Sequence, residues 1–183
     1  TYQKHLYGYH FLEYSYCVND KGNFVFSFPA DTNIYETNLK DYHQAYYGKS
    51  RFQSSTIQPI PKNELEKANN YYKYQFYTMS DSYGPILYDS YRKQYLRLAK
   101  QKIGQADFQS HKRSKKKSII IFNKDFKIIA ETELDASFSF ESIFFTSTGD
   151  MYARTKTDDE HALHFVKLEY VENQNITPGI TKN

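Results

Sequence analysis

The stretch Tyr83-Gly84-Pro85-Ile86-Leu87-Tyr88-Asp89-Ser90-Tyr91-Arg92-Lys93-Gln94-Tyr95-Leu96-Arg97-Leu98-Ala99 decides the fold. It reads as two strands joined by a tight turn. Gly84-Pro85 breaks the chain before the first strand, and Ile86-Leu87-Tyr88 is a short apolar run. Asp89-Ser90 supplies side chains that bond nearby backbone N–H groups. Asp89 and Arg92 are placed to close their own turn with an ion pair. Tyr95, Arg97 and Ala99 then alternate with Leu96 and Leu98, the period of a strand.

Downstream, Ser118-Ile119-Ile120-Ile121-Phe122 is apolar at every position, so this strand is expected to be dry on both faces. Asn123-Lys124-Asp125 turns the chain. Phe126 to Leu134 returns as an edge strand, with Glu131 and Glu133 on one side. A polar loop spans about Lys100 to Lys117. From Ser142 three strands are evident: Ile143 to Ser147, Met151 to Thr155 and His161 to Val171. The turn Thr148-Gly149-Asp150 and the loop Asp158-Asp159-Glu160 separate them.

Upstream, aromatic alternation over residues 1–17 reads as strand. Asn23 to Phe28, Ile34 to Leu39 and His43 to Gly48 complete a meander, with Phe24, Phe26 and Phe28 on one face. Pro59 and Pro61 stop any strand. Asn63 with Glu66 has the look of a capping box, so one or two helical turns are expected there. Tyr72 to Met79 is read as leading into the central hairpin. The expected units are 11–50, 72–135 and 142–172. Repeated meanders with a double-sided apolar strand point to an all-β fold, a β-propeller fragment of about three antiparallel four-stranded blades. A β-sandwich is the alternative.

Composition agrees with sheet. Aromatic residues make up 18% of the 183, with 19 Tyr, 14 Phe and no Trp, and rings pack well on a pleated, half-buried surface. They supply core area at roughly 25 cal/mol per Å2 although mean hydropathy is −0.79. The net charge of +3 is too mild to point to nucleic acid. Cys17 is the single cysteine, which excludes an intrachain disulfide. No apolar run reaches the ~18 residues of a membrane span.

The segments YGPILYDSYRKQYLRLA (83–99), KSIIIFNKDFKIIAETEL (117–134) and IFFTSTGDMYART (143–155) resemble the six-bladed, TolB-like β-propeller proteins of Bacteroidota. Within these the chain is similar to predicted lipoproteins known only as a domain of unknown function. The resemblance implies export to the cell envelope, six blades and no assigned chemistry. With about three blades legible, further blades are expected on the N-terminal side.

Loop placement follows from the blade reading. Pro29–Asn33, Lys100–Lys117, Asp135–Glu141 and Thr157–Glu160 should share one end of the fold, with Tyr83-Gly84-Pro85 entering beside them. Asn19–Gly22, Ser90–Lys93, Asn123–Asp125 and Thr148–Asp150 should share the other. Tyr83, Tyr88 and Arg97 are the candidate ligand-binding residues, because Tyr and Arg anchor interfaces most often. Lys112, Arg113, Lys115, Lys116 and Lys117, with His111, form a basic loop expected to be solvated; its functional reading is a phosphate, nucleic-acid or acidic-glycan contact. His161 and His164 sit at i, i+3, which on a strand point to opposite faces, so no metal site is assigned. No nucleophile elbow and no phosphate-binding glycine loop are present. No catalytic residue and no cofactor are indicated. The reading favours a non-enzymatic module binding a protein or glycan at the cell envelope. Its alternative is a metal-dependent hydrolase or lactonase with ligands converging in a central channel.

Overall fold

The computed structural model of the chain describes residues 7–53, 56–65, 69–135, 138–155, 159 and 161–170. The strand expected before Tyr7, Glu66 of the capping box, positions 136–137, 157–158 and 160 of the expected loops, and the tail after Tyr170 lie outside these residues.

Eleven described strands form three antiparallel sheets, each pairing strands in simple sequence order. The first is β1 (Ser15–Val18), β2 (Phe24–Ser27), β3 (Asn33–Thr37) and β4 (His43–Tyr47). The second is β5 (Ser82–Asp89), β6 (Gln94–Lys100), β7 (Lys117–Phe122) and β8 (Ile128–Leu134). The third is β9 (Phe144–Phe145), β10 (Met151–Arg154) and β11 (Phe165–Leu168). The fold is therefore all-β in its framework, as the alternation predicts.

The second sheet lies between two cores. Register pairs Tyr95 with Phe122 and Arg97 with Ile120 on one face, and Leu96 with Ile121 and Leu98 with Ile119 on the other. The first set, with Ile86 and Ala99, packs against Val25 and Ile34 of the first sheet. The second set packs against Phe140, Ile143, Met151 and Ala153 of the third sheet and its approach. The continuous apolar run has this cause: Ile119, Ile120 and Phe122 are buried and Ile121 is half-buried.

Three expectations are corrected. Tyr72 to Met79 is part of a helix, α2 (Asn70–Thr78), although its tyrosines favour strand. Asn69 caps it by accepting the Tyr72 N–H at 2.8 Å. Tyr74 and Tyr77, three apart, share a face; both rings meet His10, and Phe11 meets Tyr77 edge-on at 5.2 Å. The tertiary contacts outweigh the local preference. The N-terminal aromatic run, in its described part, makes the short 3-10 turn Tyr9–Phe11 rather than strand until Ser15. Finally, Asn63 is the second residue of the short helix α1 (Lys62–Leu65), not its cap. A further short helix, α3 (Gln105–Gln109), interrupts the polar loop and buries Phe108 against Tyr71 and Tyr74.

Candidate functional site

β5 runs through Gly84-Pro85 instead of starting after it, and its register with β6 shifts between Tyr83 and Ile86. This bulge leaves backbone groups outside the ladder. The first sheet takes them up. Tyr83 N–H donates to Pro29 O at 2.9 Å, Ser27 Oγ donates to Gly84 O at 2.8 Å, and Ile86 N–H donates to Ser15 Oγ at 2.8 Å. Pro85 has no N–H to place. Gly84 is required by space: a Cβ there would lie 2.9 Å from Leu98 Cδ2 and 3.3 Å from Lys100 Cε.

An open cleft of about 190 Å3 lies over the bulge. Its walls come from every sheet or its approach: Tyr14, Ser15 and Pro29 from the first, Tyr83, Gly84, Pro85 and Lys100 from the second, and Glu141 from the segment entering the third. His10, Glu13 and Tyr77 close the remaining side. Of the loops expected to share one end, Pro29, Lys100 and Glu141 meet the Tyr83 entry at this cleft.

The His10 ring stacks on Tyr77 at 5.0 Å. Burial lowers its pKa, Glu13 opposes this, and Lys115 adds to it, leaving the imidazole below its ordinary value. For Glu141, burial raises the pKa. Its own backbone N–H, the Lys117 and Lys100 charges and the Ser139 hydroxyl outweigh that, and the carboxyl is held below the usual range. Behind Tyr77, Lys115 Nζ donates to Tyr77 O at 2.7 Å, Ser80 O at 2.8 Å and Ser82 Oγ at 3.2 Å. It also lies 4.0 Å from the Tyr77 ring centre. Burial and the Lys100 charge bring its pKa down to about 7, against a pull upward from Asp81.

Of the three candidate ligand-binding residues, only two meet. Arg97 is 0% exposed, and its guanidinium lies 3.7 Å from the Tyr83 ring centre. Its donors reach Ser27 Oγ at 2.9 Å, Thr32 O at 2.8 Å, Asp31 O at 2.7 Å, and Phe28 O and Gly48 O at 3.3 Å. Arg97 thus clamps the first sheet's loops to the second. Tyr83 lines the cleft floor beneath this clamp, and burial pushes its phenol up to about 12, Arg97 opposing. Tyr88 is at the far end of β5, with its ring on Tyr95 at 4.9 Å.

The basic run does not act as one solvated loop. Arg113 donates to Phe108 O and lies over the Phe108 ring, Lys115 turns inward, and Lys117 begins β7. Lys112 and Lys116 remain exposed; Lys112 is 3.6 Å from Asp107. The Asp89–Arg92 turn pair is present at 3.0 Å, and Arg92 reaches across to Gly149 O at 2.5 Å. Among the described residues, no group of three or more His, Cys, Asp or Glu is placed to hold a metal. No described helix is long and apolar enough to cross a membrane.

The sequence reading missed His10, Glu13, Lys100 and Glu141. Lys100 and Glu141 were legible as ends of loops assigned to the shared end. His10 and Glu13 were hidden by the aromatic alternation around them.

The model of a family described as "Domain of unknown function (DUF4221)" matches residues 1–133. A crystal structure of a DUF4221 family member from Bacteroides vulgatus is similar over 78% of this chain, with a TM-score of 0.63 and 26% identity. The chain spans 40% of that protein's length. Curated proteins offer no match.

Proposed function

This chain belongs to the DUF4221 family, and from that premise we propose that it is part of a β-propeller acting as a non-enzymatic binding module. The blade reading is supported by three meanders in sequence order and by a middle sheet packed on both faces. A sandwich leaves one face of each sheet wet. The outer face of the first sheet carries Tyr16, Phe24, Phe26 and Phe28 in mutual ring contact. Further blades, for which the longer family relative has room, would cover it.

The observation that carries the binding role is the cleft between the first two sheets, closed by Glu141 from the approach to the third. Binding sites favour such junctions. Its ligand is a protein segment or glycan met at the cell envelope, the location that the lipoprotein resemblance suggests.

Hydrogen exchange on the chain, with and without defined envelope glycans and peptides, tests this. Ligand-dependent protection at residues 10–15, 83–86 and 100 is the expected result. Protection confined to the opposite turns, 19–23 and 89–93, or turnover of the ligand, overturns it. Fractionation of cells carrying the tagged full-length protein tests the location: recovery with the envelope is expected, and recovery with cytosol removes that part.

A further inference from the structure

We propose that the cleft takes one ring of a neutral, hydroxyl-rich saccharide, with Tyr14 as stacking platform and Glu141 and Lys100 as hydrogen-bonding groups. The proposal rests on the binding-module reading and names the ligand class of the same cleft.

Size comes first. At about 190 Å3 the cleft is below the ~300–1,000 Å3 of pockets that enclose drug-sized ligands. It suits one ring of a longer chain whose neighbours stay in solvent. Platform comes second. Tyr14 is 57% exposed, yet its ring is braced by Phe26 at 5.9 Å and Phe28 at 6.0 Å. An aromatic ring held from the side and left open is ready to receive the C–H face of a sugar at little ordering cost.

Charge comes third. Against burial, the backbone N–H of Glu141 and the Lys117 and Lys100 charges hold its carboxyl below the usual range. Lys100 and Glu141 place a charge-assisted donor and an acceptor on the cleft wall. A donor and acceptors on one wall suit hydroxyl groups, each of which both donates and accepts. Glu13 also lines the cleft and offers a second acceptor.

A peptide strand is disfavoured by the edge of β5. Strand addition needs a row of free backbone donors and acceptors. Here Tyr83 N–H, Gly84 O and Ile86 N–H already bond Pro29, Ser27 and Ser15, and Pro85 has no donor. Recognition therefore falls to side chains, as sugars require.

The test uses the full chain with hexaoses of glucose, xylose, mannose and N-acetylglucosamine, an oligogalacturonate, and free amino acids and short peptides. Calorimetry and saturation-transfer NMR are the readouts. The expected result is binding of at least one neutral hexaose, changing less than about twofold across a wide salt range because no net charge is exchanged. Tyr14→Ala should weaken it about tenfold or more, Glu141→Gln should weaken it measurably, and Tyr16→Ala, outside the cleft, should leave it unchanged. Binding by the oligogalacturonate alone, or steep loss with salt, overturns the neutral-saccharide assignment. So does an unchanged affinity in both cleft variants. An amino acid or peptide that binds in the cleft overturns the ligand class but spares the binding module. If no probe of any class perturbs the cleft of the folded chain, this proposal and the binding-module reading both fall.

Discussion

Strands β2 and β6 hold the same place in consecutive meanders, each second in its sheet, yet their surroundings differ. On β6, Tyr95, Arg97 and Ala99 pack toward the first sheet, while Leu96 and Leu98 pack toward the third; all five are buried. On β2, Val25 and Ser27 face the second sheet and are buried, whereas Phe24 and Phe26 are only half-buried, on rings of their own sheet. Neighbouring Tyr16 is 53% exposed. The difference teaches that alternation sorts side chains to two faces without saying which face is wet. Large rings on an exposed face mark a surface that another layer is suited to cover.

The heaviest break in this comparison is Arg97→Met. It strips the donor from Ser27 and from four carbonyls of the first sheet's loops. The expected loss is about 3–5 kcal/mol by urea denaturation, since buried acceptors are left unpaired. A loss below about 1 kcal/mol would show that the sheets hold together without the clamp.

Next come Ile120→Ala and Phe26→Ala. Ile120 is fully buried, and its truncation should cost about 2–5 kcal/mol through lost transfer energy and a cavity. Phe26 should cost about 1 kcal/mol, because its ring already meets water. Light scattering sharpens the pair: the chain should self-associate through the aromatic face, and Phe26→Ser should reduce that. If Phe26→Ala costs as much as Ile120→Ala in a strictly monomeric chain, the two faces are not different in kind.

A smaller effect concerns pH. The Lys115 pKa falls from 10.5 to about 7 on folding. Between those values the unfolded chain binds more protons at this site, so its contribution makes stability rise with pH across that window. Lys115→Met should flatten the rise in thermal melts taken from pH 7 to 10. An unchanged slope would mean that the three acceptors around Nζ keep the ammonium charged throughout. Smallest is Ser15→Ala. It leaves the Ile86 N–H at the bulge without its acceptor, for about 0.5–1.5 kcal/mol; no change would mean that water replaces the hydroxyl.

Much of the sheet framework was legible because strand period is a property of the backbone itself. Phe24, Phe26 and Phe28 on one face, the two-sided burial of Ile119, Ile120 and Phe122 (Ile121 is only half-buried) and the Asp89–Arg92 turn pair all follow from spacings of a few residues. The helix at Asn70–Thr78 was not, since its rings are strand-favouring in isolation and become helical only against Phe11, His10 and Phe108. Arg97 looked like a surface anchor because sequence shows a guanidinium but not the five oxygens that meet it.

What the sequence determined by itself was which residues share a face and which segments turn, both set by covalent geometry and local hydrogen bonding. It also ordered the loop ends, so that Pro29, Lys100 and Glu141 could be assigned to one end of the fold. Only the tertiary structure decided that these ends, with His10, Glu13 and Tyr14, close around the Gly84-Pro85 bulge. That choice depends on encounters between groups tens of residues apart: Ser15 with Ile86, Ser27 with Gly84, Lys115 with the end of α2. Their energies exist only once the sheets have packed, and no local pattern of residues carries them.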